Sequence, residues 1–243
     1  MIRQAIYFAV FPVLTLAVSC MCWLTAGLGH NGVVAHRVQC LWAKWSLALA
    51  GVRLRVDLSA LDTSKAYVFM ANHQSHYDIL VLLAALGPYW NLRFVAKESL
   101  FKIPAFGPAM LKMGHIPILR ENSRKAMKSI DDAAETARQG LGVLIFPEGT
   151  RSLDCHRLGE FKIGGMIMAL KCGLPVAPLI VCGSRGVLPK GKLAPRPGLV
   201  TVDALPPFNP AERFTLKQRE LFRVWLSDHM SQAYQERKIC PPM

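Results

Sequence analysis

The sequence predicts an α/β domain with a central, mixed, largely parallel sheet flanked by helices, preceded by an N-terminal membrane-associated helical segment. Three observations carry this. Short apolar runs alternate with helical stretches after residue 55, the pattern of strands joined by helical crossovers. The stretch from Gln4 to Val34 contains no Asp, Glu, Lys or Arg. The chain is also apolar and basic at once, with 52% hydrophobic residues, 29 Lys+Arg against 16 Asp+Glu and a net charge of +13. That composition excludes intrinsic disorder, because the apolar content suffices for a packed core. The 18 Gly and 16 Pro of the 243 residues lie without a period, which excludes collagen-like chains. A nucleic-acid binder would cluster its cations, whereas Lys190-Gly191-Lys192 is typical of the short runs here. A basic protein with an oily end suits an anionic membrane surface.

The elements follow in order. Ile6 to Leu28 is almost wholly apolar and long enough to cross the hydrocarbon core as a helix, with Pro12 a tolerated kink. A signal peptide is disfavoured, because the oily run continues well past Cys20. Val38 to Leu54 mixes Trp42 and Trp45 with Arg37, Lys44 and Arg53, as in a helix lying at an interface or packed on the domain. Residues 1–54 therefore form an anchoring segment and 55–243 the main domain. Arg37 and Lys44 mildly favour a cytoplasmic main domain at the inner membrane.

Ala66–Met70, Leu92–Ala96, Ile116–Leu119, Gly142–Phe146, Val176–Cys182 and Leu199–Leu205 read as strands. Pro117 confines its strand to an edge or an end. Helices are predicted from the Ser75/Asp78 capping pattern through Leu83, over Ser123–Gln139, Gly165–Cys172 and Thr215–Arg237. The seven Cys show no CxxC pair and no metal-ligand spacing, which points weakly to a reducing compartment and predicts no metal.

Two clusters can do chemistry. Asn72-His73-Gln74-Ser75-His76-Tyr77-Asp78 lies where a strand becomes a helix. There Asp78 can curl back on His73, fixing one ring nitrogen and leaving the other as a general base. His76 reads as a solvated histidine. Phe146-Pro147-Glu148-Gly149-Thr150-Arg151-Ser152 also follows a strand, and Arg151 can grip an oxyanion through two N–H groups. Lys97, Arg120 and Lys162 each follow an apolar stretch and could join it around a phosphate monoester. Two patterns are decoys. Gly186 to Lys192 imitates a P-loop but lacks the Ser/Thr after its Lys, and Cys240-Pro-Pro-Met243 imitates a prenylation box without its aliphatic residues.

Four blocks in order resemble the glycerolipid acyltransferase superfamily, in particular 1-acyl-sn-glycerol-3-phosphate (lysophosphatidic acid) acyltransferases. They are Asn72–Asp78, Gly114–Arg120, Phe146–Ser152 and Leu174-Pro175-Val176-Ala177-Pro178. The second departs from the family pattern, with Leu119 where an Asp often precedes the Arg. The resemblance implies acyl transfer from acyl-CoA or acyl carrier protein to the sn-2 hydroxyl of 1-acyl-glycerol-3-phosphate, without cofactor, metal or acyl-enzyme. It implies His73 as base and Asp78 as its orienting partner. Arg120, Glu148, Gly149, Thr150 and Arg151 would bind the glycerol phosphate, with Lys97 beside them and the fourth-block prolines shaping the donor side. The implied partners are a lysophospholipid acceptor, the thioester donor and a membrane, and no nucleic acid. A different lysolipid acceptor, such as a lyso-ornithine lipid, and a non-catalytic lipid-binding scaffold are the competing readings.

Overall fold

The structure is a computed structural model that describes residues 2–118 and 123–238. In chain order the elements are α1 (Ile2–Thr25), α2 (Val33–Ala50), β1 (Val52–Asp57), β2 (Val68–Ala71), α3 (Tyr77–Leu86), β3 (Leu92–Lys97), α4 (Phe106–Lys112) and β4 (Ile116–Ile118). These are followed by α5 (Ser123–Arg138), β5 (Gly142–Ile145), α6 (Ile163–Cys172), β6 (Val176–Cys182), α7 (Ser184–Val187), β7 (Gly198–Ala204) and α8 (Arg219–Arg237). The strands form one seven-stranded sheet in the order β1-β7-β6-β2-β5-β3-β4. All neighbours are parallel except β6 and β7. The expected mixed, largely parallel sheet is what forms.

Strand side chains point alternately to the two faces, so each strand feeds two cores. Phe69, Ala71, Leu144 and Val181 pack with α1, α2, α3 and α4. Val68, Met70, Ile145 and Ile180 pack with α5, α6 and α8 on the other face. Both faces are covered, which explains why the central strands read as unbroken apolar runs. Pro117 lies in β4, at the edge of the sheet, where its missing N–H costs no ladder bond on the open side.

Three elements depart from the reading of the sequence, one of them the four-residue helix α7, which had no sequence signal. The second helix stops at Ala50, and Val52–Asp57 is a strand. Gly51 is the reason: it takes a left-handed conformation (φ 74°) and donates its N–H to the carbonyls of Leu47 and Ala48, ending the helix. The expected division after residue 54 therefore falls inside β1. Helix α4 had no periodic signal in its short run Phe106–Lys112.

The N-terminal helix lies along the domain. Thr15 Oγ1 accepts from Trp42 Nε1 at 3.1 Å, and the Lys112 ammonium sits 3.9 Å from the centre of the Trp23 ring. Its other side exposes Val13, Leu16, Leu24 and Phe8. By length and composition, Arg3–Thr25 is apolar enough to cross a membrane.

Candidate active site

The parallel register brings the two sequence clusters together. Met70 of β2 lies opposite Ile145 of β5. Continuing both strands by three residues sets His73 opposite Glu148, at the carboxyl ends where functional groups of such sheets collect. The contact is direct: the His73 backbone N–H donates to Glu148 Oε1 at 2.7 Å. Ser152 N–H donates to the His73 carbonyl at 2.7 Å. Strand β3 ends at Lys97 on the same edge, exposed. Arg120 and Leu119 lie outside the described residues, just after β4.

The His73–Asp78 pair forms as expected. His73 Nδ1 and Asp78 Oδ2 are 2.8 Å apart, with the carboxylate fully buried at 0% exposure. The same oxygen accepts the backbone N–H groups of Gln74 (2.7 Å) and Ser75 (2.8 Å). Asp78 Oδ2 is thus surrounded by donors. An ionised carboxylate only accepts, so Nδ1 carries the proton. The lone pair of the neutral ring is then on Nε2, which has no protein partner among the described residues. The helix start that positions Asp78 is close to the predicted box, since Ser75 N–H reaches Asp78 and Ser75 Oγ accepts from Tyr77 N–H at 3.1 Å.

Several supporting contacts had no sequence signal. The Phe146 ring stacks on the His73 imidazole, centroids 4.0 Å apart and planes 18° apart, which fixes the ring against rotation. Asn72 bridges to Val181 of β6, donating from Nδ2 to its carbonyl (2.8 Å) and accepting its N–H at Oδ1 (2.7 Å). Ser75 Oγ donates to the Leu188 carbonyl at 2.8 Å. In the second block, buried His115 Nδ1 accepts the Phe94 N–H at 3.0 Å, and its Nε2 is 3.1 Å from the Gln39 amide of α2. That contact ties α2 to β3, the strand that carries Lys97.

Glu148 stands apart from the expected phosphate group. Its side chain is buried, and its second oxygen accepts the Gly159 N–H at 2.8 Å. Both oxygens accept backbone donors, so the side chain holds His73 and the following loop. Gly149 closes the turn, donating its N–H to the Phe146 carbonyl at 3.0 Å with a left-handed φ of 71°. Thr150 is exposed beside it. Arg151 is half-buried and faces the first cluster. The His76 imidazole is held below its ordinary range, first by partial burial and then by the Arg151 cation. Lys162 is spent on Glu160, 2.7 Å away. The fourth block lies elsewhere: Pro175 accepts the Val68 N–H at the amino end of β2, the sheet edge opposite His73. Pro175 precedes β6 and Pro178 lies within it, opposite Met70 of β2. Asp154, Cys155 and His156 bring possible ligand atoms within 4.8 Å of one another, but Asp154 Oδ1 already accepts the His156 N–H.

Burial pushes the Glu148 carboxyl up to about 7, against the lowering effect of its two backbone donors. Its folded value therefore exceeds its unfolded one, and the folded state holds the extra proton between about 4.5 and about 7. The stability it contributes is present below that window and lost as pH rises through it. The melting temperature of the wild type, relative to Glu148→Gln, is expected to fall between pH 5 and pH 8. A difference that is flat or rises would exclude a raised Glu148.

The acyltransferase family model matches residues 53–182, more than half of the chain and all of both clusters. A 1-acyl-sn-glycerol-3-phosphate acyltransferase of Chlamydomonas reinhardtii is 37% identical over 76% of this chain and 56% of its own length. A chloroplastic one of Brassica napus is 36% identical over 64% of this chain and 44% of its own. The chain thus spans about half the length of these two relatives. The Pseudomonas aeruginosa 1-acyl-sn-glycerol-3-phosphate acyltransferase is 30% identical over 94% of this chain and 92% of its own. Among solved structures, the Thermotoga maritima LPA acyltransferase PlsC superposes with a TM-score of 0.79 at 22% identity, covering 97% of this chain and 94% of that one, and so shares the fold. With the family model over both clusters and the Pseudomonas relative aligned along nearly the whole of both sequences, this chain belongs to the acyltransferase family.

Proposed function

We propose that the protein transfers an acyl chain from an acyl thioester to the sn-2 hydroxyl of 1-acyl-glycerol-3-phosphate, giving phosphatidic acid. The observation that carries this is the Asp78 carboxylate that fixes the His73 tautomer and leaves Nε2 as a proton acceptor at the sheet edge. The similarity to 1-acyl-sn-glycerol-3-phosphate acyltransferases supports the choice of acceptor. In the reaction, Nε2 takes the hydroxyl proton as the oxygen attacks the thioester carbonyl. The C–S bond then breaks, and the thiolate leaves with the proton returned by the imidazolium. Asp78 stabilises the transient imidazolium without accepting its proton. No acyl-enzyme forms, because the alcohol attacks directly. The donor is acyl-CoA or an acylated carrier protein, and no cofactor is required because the thioester is already activated.

Arg151 is the phosphate ligand best supported by position, with Lys97 at the end of β3 on the same edge. Arg120 is proposed as a further ligand on the family resemblance of its block alone. Arg151→Ala is expected to raise the KM for lysophosphatidic acid about tenfold or more, the loss of one charge-assisted contact, with a smaller change in donor KM. An unchanged acceptor KM would remove Arg151 from the site.

The apolar outer side of α1 would dock on the inner membrane with the catalytic edge on the cytoplasmic face. Val13 and Leu16 are exposed. Val13→Lys with Leu16→Lys is expected to lower partitioning onto anionic vesicles about tenfold, since each lysine opposes burial in lipid. Undiminished pelleting would contradict docking through α1.

Acceptor competition tests the function as a whole. With one labelled thioester and equimolar lysophosphatidic acid, lysophosphatidylcholine and monoacylglycerol, phosphatidic acid should dominate. Preference for another lysolipid would keep the chemistry and overturn the acceptor. No transfer to any of them would favour the scaffold reading.

A further inference from the structure

The loop joining β6 to β7, residues 184–196, is not used by the chemistry above, yet it is built onto it. Strand β6 runs parallel to β2, so β6 ends, and this loop begins, at the His73 edge. The loop is pinned to both catalytic clusters: Ser75 Oγ donates to the Leu188 carbonyl (2.8 Å), and Lys190 Nζ donates to the Arg151 carbonyl (3.3 Å). Arg185 donates from a guanidinium nitrogen to the Ser152 carbonyl at 3.4 Å. Pro195 is buried and the Arg196 N–H donates to the Val187 carbonyl at 2.8 Å, which closes the loop at its base.

Its chemistry is one-sided. From Phe161 to Val202 the sequence has no Asp or Glu, and the loop itself carries Arg185, Lys190, Lys192 and Arg196. None of these four has an acidic partner within ion-pair distance among the described residues. At its tip Leu193 is 80% exposed, the highest exposure of any large hydrophobic residue among those described. Unpaired cations cost little in water but make a field that selects anionic partners. An exposed leucine on the same loop, next to Lys192 and three residues before Arg196, adds a contact that a phosphate group alone would not need.

Resting on the acyltransferase reading, we propose that the 184–196 loop is the docking surface for the acyl donor's carrier, and that this carrier is an acidic protein. An apolar centre within a charged rim is the anatomy of a protein interface. A nucleotide would call for the cations without Leu193. A bilayer would gain little from one side chain, because stable anchoring takes many buried methylenes. The loop's attachment to the Ser75 and Ser152 segments puts a docked carrier beside Nε2 of His73, where its thioester must arrive. The cations would act chiefly on encounter, so the effect must weaken with salt.

The test uses the full chain in vesicles containing lysophosphatidic acid, with palmitoyl-loaded acyl carrier protein and palmitoyl-CoA as separate donors. Two variants change only exposed side chains: Lys192→Glu with Arg196→Glu, and Leu193→Asp. The expected result is a KM for the carrier-borne donor raised about tenfold or more, with kcat, the palmitoyl-CoA KM and vesicle pelleting unchanged. The wild-type KM for the carrier should also rise with salt, and that of the charge-reversed variant should not. The proposal is overturned by an unchanged carrier KM, by an equal rise for both donors (a general anion site), by lost pelleting (a membrane contact), or by a wild type that uses palmitoyl-CoA alone. A wild type that transfers from neither donor to any lysolipid would overturn the acyltransferase reading itself, and this proposal with it.

Discussion

Replacing His73 by alanine is expected to lower kcat for acyl transfer about 10³-fold, within the range a positioned general base contributes. The fold should survive. His73 is half-buried, and its backbone N–H and carbonyl, which hold Glu148 and Ser152, are unchanged by the substitution. Asp78 Oδ2 keeps two of its three donors, so a loss of rate far larger than the modest drop in melting temperature can explain is the specific expectation. Asp78→Asn should cost a comparable factor for a different reason. Three donors converge on Asp78 Oδ2; the oxygen of an asparagine amide can still accept them, but the neutral amide no longer stabilises the imidazolium, and if its N–H turns toward Nδ1 it fixes the wrong tautomer. Because the two side chains act as one unit, the double variant should be little worse than His73→Ala alone. Near-wild-type activity in His73→Ala would end the general-base assignment.

Asn72→Ala should have the largest effect on stability. Strand β2 pairs with β6 only as far as Ala71 opposite Leu179. Beyond that point the chain must turn away to present His73. The Asn72 side-chain amide continues the ladder in its place, bonding both the N–H and the carbonyl of Val181. Asn72 is 0% exposed, so alanine would leave two buried backbone groups without partners. Each such loss costs about 1–3 kcal/mol, for a total near 2–4 kcal/mol once partial relaxation is allowed. At this chain length that lowers Tm by about 5–15 °C. A shift below about 2 °C would mean that water or a rearranged strand satisfies Val181.

The parts of the molecule that were legible in the sequence are those where one local pattern decides the structure. The central strands are short apolar runs because both sheet faces are covered, and Pro117 marks the edge strand. His73 and Asp78 were legible because five residues of strand-to-helix turn bring them together whatever the rest of the chain does. Strand β1 was hidden behind an apolar stretch that passes for helix on both sides of Gly51. Only the turn at Gly51 and the alternation Val52-Arg53-Leu54-Arg55-Val56 distinguished it. The role of Glu148 was not legible either. A Glu beside an Arg in a polar loop reads as part of an anion site, and only the β2–β5 register shows the carboxylate turned inward onto His73 and Gly159. The Phe146 stack depends on that register, and the Asn72 bonds to Val181 depend on the β2–β6 register. The proline-bracketed block was recognisable as a motif, but its place at the opposite sheet edge followed from the direction of β6.

The most direct test of the mechanism is a single-turnover experiment with the full chain in vesicles and a thioester labelled in its acyl group. Enzyme and donor are mixed first without acceptor, and lysophosphatidic acid is then added. Direct attack by the base-activated hydroxyl predicts no label on the denatured protein in the first stage. Label should then appear at the sn-2 position of phosphatidic acid in the second, with wild type but not with His73→Ala. Label held covalently by the protein before acceptor is added, or phosphatidic acid formed at an undiminished rate by His73→Ala, would contradict it.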